Sequence, residues 1–248
     1  MAGANIPKMG ETMRIQTFAQ YNKKRFGTHL MSQTVVVVDV LRATSSIIWA
    51  CRNGANRVIP VSDAGEGAAI ATRLGGCIMA GERGGVKLPG FDLGNSPKEF
   101  APEVVKDRNI IINTTNGTGA IKAAEGAANV LIAAMLNHDA AARKAAALGL
   151  DVTILCAGTD GEFSADDICA AGAIASSLCK YADVTEQCDL TWAAKVLYGE
   201  WKAGRADLSQ TYHYTRLLEL GFGEDVEFCL QENITEVVPL YTNGIAHA

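Results

Sequence analysis

The sequence predicts an α/β protein of three layers, with helices on both faces of a mostly parallel or mixed sheet built from two similar βαβ units. Two observations carry that expectation. Apolar runs rich in β-branched residues alternate with helix-like runs from Val35 to Tyr181, which is the form taken by a buried parallel sheet with crossover helices. The same order of strand, loop, helix and glycine stop then occurs twice. Gly54-Ala55 matches Gly126-Ala127, and Ala80-Gly81-Glu82-Arg83-Gly84-Gly85 stands against Ala157-Gly158-Thr159-Asp160-Gly161-Glu162. Residues 35–85 and 109–161 therefore read as diverged duplicates.

In the first unit, Val35-Val36-Val37-Val38 is β-branched throughout and reads as a central strand ending at Asp39. Thr44-Ser45-Ser46 is a cap signal for a helix to about Asn53, with Gly54 as its stop. Arg57–Val61 is the second strand. Asp63 and Glu66 have capping-box spacing for a helix ending at Gly75-Gly76, and Cys77–Ala80 is the third strand. The second unit reads as a strand from Asn109 to Ile112, a Thr114–Thr118 loop, a helix stopping at Gly126, a strand from Asn129 to Ala133, a helix from Ala140 to Leu148 capped by Asn137, and a strand from Val152 to Cys156. Ser164 caps a long alanine-rich helix to about Tyr181. Helices are expected around Thr191–Lys202, Thr211–Leu220 and Glu224–Leu230, and Pro239 marks Glu236–Tyr241 as an edge strand.

The resulting divisions are 1–34, an N-terminal extension and first strand; 35–108, the first α/β unit; 109–184, the second; and 185–248, a helical segment with the edge strand. These are expected to interlock in one compact body.

With 48% hydrophobic and 20% charged residues, the chain can bury a substantial core. A net charge of −5, with no basic run longer than Lys23-Lys24-Arg25, argues against a nucleic-acid partner. Seven cysteines without a C-x-x-C pair read as reduced core thiols, which points to the cytoplasm. No run of 18 apolar residues implies a membrane span. A symmetric homodimer is the default assembly.

Ligands of open α/β sheets bind beyond the carboxyl ends of the strands, and the unusual polar clusters all follow predicted strand ends. They are Asp39 with Arg42 and Thr44, Glu82 with Arg83, the Thr114-Thr115-Asn116-Gly117-Thr118 loop, and Thr159 leading to Asp166 and Asp167. The threonine loop offers hydroxyls, an amide and backbone N–H groups at a helix start, as in phosphate sites without a P-loop lysine, although a capped turn has the same composition. Arg42 and Arg83 have the geometry to pair with a carboxylate, sulfonate or phosphate, or with a surface acid. Asp39 and Glu82 would repel an anion unless a hard cation lay between them, and oxygen ligands suit Mg²⁺. Asp166 and Asp167 equally suit the positive end of their helix. The four histidines show no ligand spacing. The long Gly/Pro-rich loop Lys87–Pro97 is a further functional candidate.

At these residues the sequence resembles the ComB-like, 2-phosphosulfolactate phosphatase family. The shared segments are Val38-Asp39-Val40-Leu41-Arg42-Ala43-Thr44-Ser45, Ala80–Gly85, Gly90-Phe91-Asp92-Leu93-Gly94-Asn95-Ser96-Pro97, Thr114–Thr118 and Cys156–Thr159, followed by Asp167 and Ala171-Gly172. The resemblance implies Mg²⁺-dependent hydrolysis of the phosphate ester of sulfolactate, a step toward coenzyme M. The expected catalytic and metal residues are Asp39, Glu82 and Asp167. Substrate contacts are expected from Arg42, Thr44, Arg83, Asp92, Asn95, Ser96, Thr114, Thr115, Asn116, Gly117, Thr118 and Thr159, with Thr44 and Thr115 facing the phosphoryl group. Two positions depart from the family pattern: Gly119 stands where an arginine is common, and Tyr214 where glycine is. They make a related phospho-hydroxy acid the alternative substrate.

Three other readings are weighed. A haloacid-dehalogenase-like phosphatase needs a second acid two residues after Asp39, and Leu41 occupies that position. A dinucleotide fold needs G-x-G-x-x-G after Val38, which is absent. A non-catalytic module for an anionic metabolite would use the same loops, and a phosphate-release assay separates it from an enzyme.

Overall fold

The computed structural model describes residues 12–21 and 27–248. Residues 1–11 of the N-terminal extension lie outside the described residues. The strands are β1 (Met13–Phe18), β2 (Thr34–Val38), β3 (Arg57–Pro60), β4 (Ile78–Arg83), β5 (Val86–Lys87), β6 (Asn109–Asn113), β7 (Asn129–Ala133), β8 (Val152–Cys156), β9 (Val184–Gln187), β10 (Leu240–Thr242) and β11 (Ile245–His247). They form one sheet in the order β5-β4-β6-β3-β11-β10-β7-β2-β8-β1-β9. Every pairing is parallel except those of β5 and of the β10–β11 hairpin, so the sheet is mixed and mostly parallel, as expected.

The two units interlock by exchange. The first strand of unit one, β2, lies between β7 and β8 of unit two; the first strand of unit two, β6, lies between β3 and β4 of unit one. Each unit thus completes the other's sheet.

The period-2 alternation of β2 produces the layers. Val36 and Val38 face a cluster with Ile154, Ile168, Ile174 and Leu178, whereas Val35 and Val37 face Ile47, Ile48, Ile110, Ile112 and Ile121. Helices α1 (Ala43–Arg52), α2 (Ala64–Leu74), α3 (Pro102–Val105), α4 (Gly117–Ala123), α5 (His138–Ala147), α6 (Ala165–Tyr181) and α7 (Asp189–Lys202) follow in chain order, then α8 (Tyr212–Glu219) and α9 (Gly223–Cys229). The face of Val36 is covered by α5 and α6, and that of Val35 by α1 and α4. Beyond them, α2 packs Ile70 and Ala71 on Ile59 and Ile111. All four β2 valines are fully buried, and each contributes roughly 1.5–3 kcal/mol by leaving water.

Several helix starts differ from expectation. Asp63 does cap α2, accepting from Glu66 N at 2.9 Å while the Glu66 carboxylate accepts from Ser62 N at 2.7 Å. By contrast α1 has no side-chain cap at Arg42; Thr44 lies inside the helix and donates back to the Asp39 carbonyl at 2.8 Å. Asn137 turns away from α5 and its Oδ1 accepts from Ala134 N, and the Ser164 hydroxyl goes to Asp166 rather than to the backbone of α6. In each case another hydrogen-bond partner, an acceptor for Thr44 and Ser164 and the Ala134 N–H for Asn137, outcompetes the cap.

The predicted edge strand is a central one. β10 sits between β11 and β7, and Pro239 precedes it, so the missing N–H is never demanded of the ladder and only the Pro239 carbonyl is used, by Ile132 N. β5 and β9 hold the edges instead. The expectation for cysteine holds in part: Cys51, Cys156, Cys169 and Cys229 are buried, Cys77 and Cys188 are half-buried, and Cys179 is exposed.

Candidate active site

Four strands separate β6 from β2 in the sheet, yet their carboxyl ends meet. Gly117, just after β6, packs on Asp39, just after β2: a Cβ on Gly117 would lie 2.5 Å from both Asp39 Oδ2 and Ala43 Cβ. Only glycine lets the threonine loop close on that carboxylate. The β10–β11 hairpin, paired to each half at one position (Leu240 with Leu131, Ala246 with Val58), lies between the halves.

An open, polar cleft lies at these strand ends. Its walls include Asp39, Glu82, Asn95, Thr114, Thr115, Asn116, Thr159, His213 and Arg216. The loops after β2, β4, β6 and β8 therefore converge, as the strand-end rule predicts.

Asp39 is buried and held by its own loop. Its Oδ1 accepts from Ala43 N at 3.0 Å, its own N–H donates to Thr44 Oγ1 at 2.9 Å, and the Leu41–Arg42 peptide beside it is cis. Burial pushes its carboxyl up to about 6, against the pull of His213 and the Ala43 N–H. Asp167 is fully committed to the backbone, with Oδ1 on Val40 N at 2.8 Å and Oδ2 on Gly158 N at 3.0 Å. Burial, then the charges of Asp166 and Asp39, hold its carboxyl well above the usual range. It ties the loop after β2 to the loop after β8. Glu82 is likewise saturated, accepting from Thr115 N at 2.7 Å, Thr115 Oγ1 at 3.1 Å and Gly85 N at 2.7 Å.

The expected substrate residues divide. Asn95, Thr114, Thr115, Asn116 and Thr159 line the cleft, together with the Arg42 guanidinium. Gly117 lies against Asp39, while Thr118 and Thr114 exchange hydrogen bonds within the loop. Thr44 is fully buried and bonded to the Asp39 backbone. Asp92 is exposed and holds Met79 N at 2.8 Å; Ser96 is buried and donates to Asp225 Oδ1 at 2.6 Å. Arg83 is exposed, donates to Asn113 Oδ1 at 2.8 Å and does not line the cleft. Arg42 is buried, paired with Asp225 Oδ2 at 2.6 Å, bonded to the Gly85 carbonyl at 2.8 Å and stacked 3.9 Å from the Phe222 ring centroid. Its guanidinium is held by the protein itself.

Sequence reading set His213 aside for want of ligand spacing, named Asp166 in a strand-end cluster without placing it among the catalytic or metal residues, and did not single out Arg216. His213, on α8, reaches the cleft and bonds Thr159 Oγ1 at 3.0 Å. Burial lowers the ring's pKa, but the hydrogen bond and charge of Asp166, 3.7 Å away, with Asp39 beyond, outweigh it and raise the net value. No local spacing could reveal contacts with residues as far back in the chain as Asp166 and Thr159.

The two family departures are also placed. A Cβ on Gly119 would lie 2.3 Å from the Tyr21 hydroxyl, so no larger side chain fits there without moving that ring. Tyr214 packs half-buried against the core.

The donor chemistry suits a hard divalent cation. Asp39, Asp166 and Asp167 are mutually repelling carboxylates, and Asp166 Oδ2 is buried without a hydrogen-bond partner. Among the described residues no three His, Cys, Asp or Glu side chains form a ready metal cluster. A cation here would take one or two protein oxygens and complete its shell with water and ligand, which is the habit of Mg²⁺.

The fold and cleft define an α/β protein with a carboxylate-rich cleft at the strand ends. The chain belongs to the 2-phosphosulpholactate phosphatase family, which it matches over residues 21–244. It is 43% identical to a "Probable 2-phosphosulfolactate phosphatase" of Caldanaerobacter subterraneus subsp. tengcongensis, over 94% of this chain and 97% of that protein. Proteins of the same description from Clostridium acetobutylicum (41% identical; 86% and 91% covered) and Clostridium tetani (40% identical; 87% and 92% covered) are also similar.

Proposed function

We propose that the protein is a phosphoric monoester hydrolase that converts 2-phospho-3-sulfolactate to 3-sulfolactate and phosphate, with Mg²⁺ as cofactor. Family membership supports the reaction class. The observation that carries the reading to this cleft is the meeting of buried Asp39 with the N-terminal turn of α4 and with His213, a carboxylate, backbone donors and an imidazole around one small space.

In the proposed mechanism Asp39 orients water for attack on phosphorus and accepts its proton. The Thr115–Asn116 turn receives the phosphoryl oxygens. As the P–O bond to the sulfolactate carbon skeleton breaks, protonated His213 gives its proton to the departing alkoxide oxygen. Asp166 keeps that ring charged and oriented. Asp39 and the unpartnered oxygen of Asp166 are the groups that would hold Mg²⁺, which when bound would supply positive charge against the phosphoryl oxygens. Glu82 and Asp167, expected as metal ligands, act in this reading through the loops they hold. Action in the cytoplasm is supported by the reading of the cysteines as free thiols, and a route to coenzyme M by the family resemblance.

A panel of phosphorylated 2-hydroxy acids, assayed for phosphate release with and without Mg²⁺, tests the proposal. Release from phosphosulfolactate above all other esters, abolished by chelation, is expected. Binding of these anions without release would leave a metabolite-binding protein, and preference for another ester would reassign the substrate.

A further inference from the structure

Phosphosulfolactate carries a carboxylate and a sulfonate besides its phosphate, and the cleft must neutralise them. Among the described residues its lining holds two guanidinium groups, Arg42 and Arg216. Arg42 is committed: it is buried, paired with the equally buried Asp225, and capped by the Gly85 carbonyl and the Phe222 ring. Arg216 differs in each respect. It stands on α8 one turn after His213, and its side chain remains 31% exposed. Its ion-pair partner, Asp160 at 2.6 Å, is 49% exposed, and its other bond is to the Tyr212 hydroxyl at 3.3 Å.

Asp160 occupies the tip of a tight turn in which Thr159 and Glu162 exchange backbone hydrogen bonds, with Asp160 at φ 53° and Gly161 at φ 84°. This turn presents the carboxylate outward, where water can replace the guanidinium. A solvent-facing ion pair of this kind contributes little and exchanges readily. On its far side Arg216 Nη2 lies 3.3 Å from the position a Cβ would take on Gly84, so the guanidinium spans the cleft from the β8 loop to the β4 loop.

We infer that Arg216 is the specificity residue of the cleft: its guanidinium leaves Asp160 to form paired hydrogen bonds with an acid group of the substrate distant from the phosphate, and Asp160 is the anion it exchanges for that group. The inference rests on the phosphatase reading for the substrate's identity, but its geometry concerns anion recognition alone. The planar fork of arginine suits a carboxylate or sulfonate bidentately, which a lysine ammonium does not. Exchange of one anion for another also keeps the guanidinium paired in both states.

Two measurements test it. In the first, kcat/KM for phosphosulfolactate is divided by kcat/KM for isopropyl phosphate, which lacks both acid groups. Arg216→Ala should lower this ratio at least tenfold and Arg216→Lys should restore only part of it. Asp160→Asn, which suits the left-handed turn and removes the competing charge, should raise the ratio. In the second, 3-sulfolactate is titrated calorimetrically, which needs no turnover; Arg216→Ala should bind it at least tenfold more weakly than the wild type. An unchanged ratio and unchanged sulfolactate affinity in folded Arg216→Ala overturn the inference. Failure of the wild type to release phosphate from either ester would instead sink the phosphatase reading, and the titration would still decide the role of Arg216.

Discussion

The residues around the cleft show how one side-chain type takes opposite roles by burial. Arg42 and Arg216 both face the site, but Arg42 is 3% exposed and satisfied by protein groups, whereas Arg216 can trade partners. Arg42→Ala should therefore act on stability. It strands the buried Asp225 carboxylate, a change that costs about 3–5 kcal/mol, and urea unfolding should show it. A variant of wild-type stability with a raised KM would return Arg42 to the role of ligand. His213→Gln keeps a polar group beside Thr159 but removes the proton donor, so kcat should fall about a hundredfold with the circular dichroism spectrum unchanged. Full kcat in that variant would remove His213 from the chemistry. The sequence made Asp39 and the threonine loop legible because each follows its strand directly. It hid the commitments of Arg42, Ser96 and Thr44, since their partners Asp225 and the Asp39 carbonyl are chosen by tertiary packing.

At the scale of elements, the tail segment after α9 stitches the second unit together. His138 begins α5, accepts from Asn233 Nδ2 through Nε2 at 2.8 Å and contacts Ser177 Oγ at 3.2 Å through Nδ1, an arrangement that wants a neutral ring. Burial lowers its pKa below 6.5, although Glu232 pulls the other way. The folded value lies under the unfolded one, so His138 contributes full stability above the unfolded pKa and loses it as pH falls toward the folded pKa. Urea midpoints measured at pH 7.5 and 5.5 should therefore drop more for the wild type than for His138→Gln. Equal drops would mean that the ring is charged in the fold. The same tail supplies the β10–β11 hairpin, whose Asn243-Gly244 turn is the strongest short hairpin signal in the chain. The sequence reading did not use that signal and took Pro239 as the mark of an edge, so it placed a central strand at an edge.

Over the whole molecule, the duplication was legible because glycine stops and Ala-Gly corners keep their order, and local grammar survives divergence. The exchange of first strands between units was beyond reach, because period-2 patterning says which faces are buried and not which neighbour buries them. That exchange has a functional consequence. Asp39, from the strand inserted into unit two, meets the loop after β6, the strand inserted into unit one, so the cleft exists only when both insertions are made.

Asp39 stands at that junction, and the account assigns the chemistry to it. The most direct measurement is phosphate release from phosphosulfolactate, under saturating substrate and Mg²⁺, by Asp39→Asn beside the wild type. The substitution preserves size and removes the charge. A loss of about a hundredfold or more in kcat, with thermal unfolding and sulfolactate binding retained, is the predicted result, and turnover at the wild-type rate by a folded Asp39→Asn protein would contradict it.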